Sequence, residues 1–216
     1  MLYDITPPIS PALSVWPGDK PPSRQVLCDM KQGANITLST LHATVHLGAH
    51  ADGPNHYGKD APAIDVRSLD YYLGPCRVVS VPTQRGARVS IEAVDAAIRR
   101  QSNVAATELP PRVLIATGTY PDPNNFNEDF AGLEPSMVDA LHARGVRLIG
   151  TDCPSVDLFS SKDLPAHNRF LANDMAILEG LVLRGVPEGD YELIALPLKL
   201  VGFDGSPVRA ILRTLL

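Results

Sequence analysis

His46-Leu47-Gly48-Ala49-His50-Ala51-Asp52-Gly53-Pro54-Asn55-His56 sets three imidazoles and a carboxylate within eleven positions, which is half of the chain's six histidines. Imidazole nitrogen and carboxylate oxygen together suit zinc, manganese and similar divalent cations, and two His with one Asp leave coordination positions open for water. Gly48, Gly53 and Pro54 interrupt any continuous helix. The His46/His50 offset of four is therefore not the helical pair of an H-E-x-x-H metalloprotease. The stretch reads as a strand running into a tight loop that wraps a metal.

Upstream, Asn35 to Thr44 (NITLSTLHAT) alternates apolar and polar side chains and reads as a strand feeding directly into that loop. The first 35 residues read as proline-rich and irregular. The only tryptophan, Trp16, sits there in a Ser14-to-Asp19 turn and is a candidate apolar wall for a substrate pocket. Downstream, Cys76 to Val81 (CRVVSV) is a β-branched strand ended by Pro82. Ser90 then opens an amphipathic helix, SIEAVDAAIRRQ, with acids in its first turn. Arg112 to Thr117 is a second buried-type strand, followed by the long polar loop PDPNNFNED. Glu134 to Arg144 forms a second helix closed by Gly145, and Val146 to Ile149 follows as a strand. This alternation predicts an α/β fold with a partly parallel, mixed central sheet and crossover helices. Tyr191–Leu196, Leu198–Val201 and Val208–Leu215 read as late strands. With no internal repeat or linker, residues 1–216 are expected to form one domain.

Twenty prolines and sixteen glycines favour strands and loops over a helical bundle. A net charge of -5 with dispersed Lys and Arg argues against a nucleic-acid surface and for a small-molecule partner. Cys28, Cys76 and Cys153 are odd in number and widely spaced, as expected in a reducing cytoplasm. The N-terminal residues carry neither a basic nor an apolar signal region, and no apolar run is long enough for a membrane span, so an unexported protein without membrane association is expected. There is no G-x-S-x-G elbow, G-x-G-x-x-G or P-loop. Cys153, followed directly by Pro154, reads as structural rather than nucleophilic.

A second constellation lies at Thr151-Asp152-Cys153-Pro154-Ser155-Val156-Asp157, then His167, then Glu179. His167 and Glu179 are the best candidates to complete a two-metal site that shares Asp52. The pattern H-x-G-x-H-x-D-x-P-x-H at His46 to His56 resembles that of the metal-dependent cyclase-like hydrolases. WPGD at Trp16 to Asp19, TDCPSVD, His167, Glu179 and YELIALPLKL further resemble the bacterial kynurenine formamidases (arylformamidases) across essentially the whole chain. Ala49 stands where that family usually has Thr, and Gly53 where it commonly has Ala or Ser.

The resemblance implies a swivelling β/β/α domain, usually a homodimer, with two divalent metal ions, zinc foremost. It places His46 and His50 on one metal, Asp52 bridging, and His167 on the other, with Glu179 as a carboxylate ligand. It leaves His56 as general acid/base and Trp16 against the aromatic part of N-formyl-L-kynurenine. A relative acting on another aryl or cyclic amide, of the isatin type, is the alternative within enzymes. A non-catalytic metal-binding relative is the alternative outside them.

Overall fold

The computed structural model describes residues 1–101 and 109–215. Thirteen strands follow one another as β1 (Leu2–Asp4), β2 (Ser23–Cys28), β3 (Leu38–His42), β4 (His50–Asp52), β5 (Leu73–Ser80), β6 (Arg88–Val89), β7 (Arg112–Ala116), β8 (Gly132–Leu133), β9 (Leu148–Thr151), β10 (Ala176–Glu179), β11 (Gly189–Ile194), β12 (Gly205–Pro207) and β13 (Ile211–Thr214). Among the described residues three α-helices are interspersed, besides short 3-10 turns: α1 (Ile91–Arg100) between β6 and β7, α2 (Pro135–Ala143) between β8 and β9, and α3 (Pro165–Ala172) between β9 and β10.

Nine strands make one curled mixed sheet in the order β1-β13-β11-β5-β7-β9-β10-β4-β12. Its centre, β5-β7-β9-β10, is parallel, and every pairing outside that centre is antiparallel. The parallel centre follows from chemistry: these runs are apolar on both faces and need cover on both. Val79, Val113, Ile115, Ile149 and Ile177 point to one face, under Val94 and Ile98 of α1, Met137 and Leu141 of α2, and Phe170 of α3. The alternate residues Val78, Leu114, Leu148 and Leu178 point to the other, where they meet Ala51, Tyr72, Leu193 and Leu212.

Local signals explain the helices. Ser90 caps α1 by accepting the Ala93 N–H, Glu92 lies in the first turn, and Arg99 and Arg100 lie in the last. Pro135 starts α2 at its first turn. Among the described residues no helix is long and apolar enough to cross a membrane.

The structure corrects several expectations. Leu198–Val201 is not a strand: it follows Pro197, ends in a turn, and leaves Leu198 and Val201 exposed, with the Leu198 N–H satisfied by the Ser206 hydroxyl. The strand expected over Asn35–Thr44 is only β3, which pairs with β2 in a separate exposed hairpin and does not run into the histidine loop. The first 35 residues contain two strands, β1 and β2, rather than none. The last strand is β13 alone, shorter than Val208–Leu215. Neither α3 nor β10 was expected from the sequence, and both carry residues of the candidate site.

One close backbone approach joins the parallel centre to the histidine loop. Gly180, directly after β10, has φ +66, and a Cβ there would lie 2.1 Å from the Gly48 carbonyl oxygen. That oxygen is backbone and has little freedom to yield. Gly180→Ala is expected to destabilise the fold by about 2 kcal/mol or more, read as a lower urea midpoint at unchanged m-value.

Candidate metal centre

Register places the first donors. β4 lies between β10 and β12, antiparallel to both, with His50 opposite Glu179 and Asp52 opposite Gly205. Strand alternation sends Ala51 into the core beyond the sheet and leaves His50 and Asp52 on the face where Glu179 emerges. His50 Nε2 is 3.3 Å from Glu179 Oε2 and 3.5 Å from Asp52 Oδ1. Glu179 is itself oriented by the Val156 N–H, which donates to Oε1 at 2.7 Å.

His167 arrives on α3, whose buried side is Ala166, His167 and Phe170. The helix starts at Leu164, which has φ 45 and makes no side-chain cap, and Pro165 follows in the first turn. Asp157 supplies the missing cap from outside: it accepts the N–H groups of Ala166 and His167 at 3.1 Å each. It also holds His167 Nδ1 at 2.9 Å and Arg88 at 2.8 Å. The opposite ring nitrogen, Nε2, thereby points at Asp52 Oδ2 (3.5 Å) and Glu179 Oε1 (3.7 Å).

His46 presents Nδ1 to Asp52 Oδ1 at 3.1 Å and Nε2 to Asp204 Oδ2 at 3.1 Å. His56, in the turn Pro54–His56, is partly exposed, and its ring lies over that of His46 with centroids 4.2 Å apart. Trp16 packs against Phe159 at 4.9 Å and against Phe126 and Phe130 at 5.7 and 6.0 Å. A cleft of ≈ 370 Å³ runs between the two groups, lined by His46, His50, His56, His167 and Glu179 on one side and by Trp16 and Phe126 on the other.

All seven residues singled out from the sequence thus line or adjoin one cleft. Three were missed. Asp204 lies in a Phe-Asp-Gly turn far along the chain, whose only sequence cue is an Asp-Gly pair. Phe126 and Phe159 are aromatic-wall residues in loops without periodicity. Cys153 is fully buried, and burial pushes its thiol up to about 12, as a structural cysteine requires.

The electrostatics depend on Asp52. It is 2 % exposed, and both carboxylate oxygens lack a hydrogen-bond donor, because the nearby imidazole nitrogens are close without being aligned for one. Burial works to raise its pKa, yet the surrounding histidines hold it well below the usual carboxylate range. Burial likewise lowers the His46 and His167 pKa values, but adjacent carboxylates outweigh it. Asp52 and Asp204 raise His46 to about 9, and Asp157 and Asp52 raise His167 to about 10. A buried anion with no donor, ringed by imidazoles that carboxylates would otherwise keep protonated, fits a divalent cation, which takes the place of those protons. Among the described residues three overlapping donor sets have ligand atoms within 4.8 Å of one another: His46-His50-Asp52 and Asp52-His167-Glu179 share the buried Asp52, and the third, His46-His56-Asp204, is more exposed.

Fold and site together define a class: a mixed-sheet α/β protein whose cleft joins an imidazole–carboxylate cluster to an aromatic wall. The family model Cyclase, described as "Putative cyclase", matches residues 3–158, and the chain belongs to that family. Among solved structures, "The Structure Of Potential Metal-Dependent Hydrolase With Cyclase Activity" is similar at TM-score 0.81 and 25% identity, over 98% of this chain and 96% of that one. A "predicted metal-dependent hydrolase from Bacillus stearothermophilus" gives 0.78 and 25%, over 98% and 97%. Isatin hydrolase A from Ralstonia solanacearum gives 0.80 at 19% identity, over 98% and 91%, a likeness of fold.

Asp157 yields a stability prediction. Burial would raise its pKa, but His167, the α3 N–H groups and Arg88 lower it from 3.8 to about 2. A depressed carboxyl stabilises the fold above its unfolded pKa and loses that contribution as pH falls through the folded value. Asp157→Asn should therefore cost roughly 2 kcal/mol at neutral pH. In urea titrations the gap from wild type should shrink between about pH 4 and pH 2; a gap that pH leaves unchanged would contradict it.

Proposed function

We propose that this chain is a metal-dependent hydrolase of an aryl amide, converting N-formyl-L-kynurenine and water to L-kynurenine and formate in tryptophan degradation. The observation that carries the reading is Asp52, a buried carboxylate without a donor set between two groups of metal-ligating side chains. In this reading His46, His50 and Asp52 would hold one divalent cation, and Asp52, His167 and Glu179 would hold a second. Zinc is the metal best suited to such nitrogen and carboxylate donors. Bound cations of this kind bring the pKa of water toward neutrality and polarise a carbonyl oxygen.

The chain's own residues supply the rest. Trp16 and Phe126, facing the imidazoles across the cleft, accept the aryl ring by apolar and edge contacts. Their place opposite the cluster directs the formyl carbon toward it. His56 lies at the side of the cleft and outside both donor sets that share Asp52. It takes a proton from the attacking water as the new C–O bond forms. It returns that proton to the aryl nitrogen as the C–N bond breaks, so that the amine leaves neutral, and the formic acid formed releases its remaining acidic proton to solvent as formate. The protein acts in this reading as a cytoplasmic homodimer on a small molecule.

The test is an absorbance assay of N-formylkynurenine hydrolysis with and without chelator, paired with metal analysis and with isatin as the competing substrate. Chelation should abolish turnover, and two equivalents of metal per chain should restore it. His56→Ala should lower kcat by about 10²–10⁴-fold with metal content intact, whereas His46→Ala and His50→Ala should lose metal. Metal-independent hydrolysis would end the proposal, and preference for isatin would move it to a cyclic amide.

A further inference from the structure

Three imidazoles of the cluster are each held through the nitrogen turned away from the centre. His50 Nδ1 donates to the Gly48 carbonyl at 2.9 Å, His167 Nδ1 meets Asp157 at 2.9 Å, and His46 Nε2 meets Asp204 at 3.1 Å. Partners of this kind fix the ring and the tautomer of a metal-binding histidine. Asp204 differs from the other two, because the same oxygen, Oδ2, also lies 3.5 Å from His56 Nδ1. One carboxylate oxygen thus faces two rings, one proposed as a ligand and one as the proton carrier.

We propose that Asp204 is a positioning residue that holds His46 and His56 together through a single carboxylate oxygen, coupling metal binding to proton transfer; this rests on the role given to His56 above. A carboxylate oxygen has lone pairs enough to accept from both rings. Donation from His46 Nε2 leaves its Nδ1 lone pair toward Asp52, and a proton on His56 Nδ1, the nitrogen that faces the same oxygen at 3.5 Å, would leave its Nε2 lone pair for proton transfer.

The surrounding backbone is shaped for this contact. The Asp204 carbonyl accepts the Gly53 N–H at 2.8 Å, the Phe203 carbonyl accepts the Ile64 N–H at 3.1 Å, and Asp65 accepts the Gly202 N–H at 2.9 Å. The turn is therefore tied on several sides to the segment that carries His56. Gly205 brings it in closely: a Cβ there would stand 2.9 Å from His46 Cε1, so a side chain at this position would displace that ring.

The experiment compares full-length wild type, Asp204→Ala, Asp204→Asn, His56→Ala and the Asp204→Ala/His56→Ala double variant. In chelator competition on the metal-free protein, Asp204→Ala should bind zinc about 10–100-fold more weakly. Asp204→Asn, whose amide oxygen still accepts, should recover most of that loss. With zinc saturating, Asp204→Ala should lower kcat for N-formylkynurenine about 10–100-fold with KM within about 3-fold. In the His56→Ala background the same change should cost little more, because the group it acts through is already gone. Wild-type zinc affinity and rate in Asp204→Ala would overturn the proposal. So would a rate loss fully additive with that of His56→Ala, or a third zinc equivalent that vanishes with Asp204, which would make it a ligand. Wild-type turnover in His56→Ala would instead overturn the acid/base role, and would overturn with it the half of the proposal that rests on His56.

Discussion

A carboxylate taken out of water without hydrogen-bond donors is among the costliest arrangements a fold can contain, and it persists only where positive charge compensates it. Asp52 is that carboxylate here, and the remaining donors are arranged about it. Glu179 adds a second buried carboxyl group close by, which raises the need for compensation. Three imidazoles surround the pair, each with its far nitrogen fixed by an acceptor of its own. The geometry is thus set by backbone register and outer hydrogen bonds, so that loading a cation demands little rearrangement.

The topology makes this convergence possible. β4 is only three residues long, yet it forms the seam between the parallel centre and β12, and its pleat divides its side chains between core and cleft. A one-residue slip would carry Ala51 into the cleft and both ionisable neighbours into the apolar core. The close passage of Gly180 past Gly48 opposes such a slip by locking the end of β10 to the preceding loop. Helix α3 is held at its N-terminus by Asp157, the same side chain that orients His167, so secondary structure and site geometry share one anchor.

How far the sequence disclosed this depends on the range of each signal. The His46–His56 cluster is dense and local, and the apolar runs alternating with capped helices between residues 76 and 150 are strongly patterned, so the donor types and the parallel centre were legible. Helix α3 was not, because its cap comes from Asp157 and its eight residues carry little periodicity. β10 is a four-residue run too short to separate from a buried turn. Leu198–Val201 misled in the other direction: its apolar residues suggest a strand, but the segment follows a proline and pairs with no strand among the described residues, with Leu198 and Val201 exposed and only Leu200 packed against the core. Asp204 is meaningful only once the chain has returned to His46, and no local pattern announces that return.

The donors and their supports are drawn from positions 46 to 204, a separation of 158 between His46 and its carboxylate partner. A cavity assembled from such distant segments cannot exist on a nascent or half-folded chain, since the loops that close it must form before any donor meets another. Cation uptake would then report completion of the whole structure. Its binding energy would add to global rather than local stability, in proportion to the logarithm of free cation over its dissociation constant.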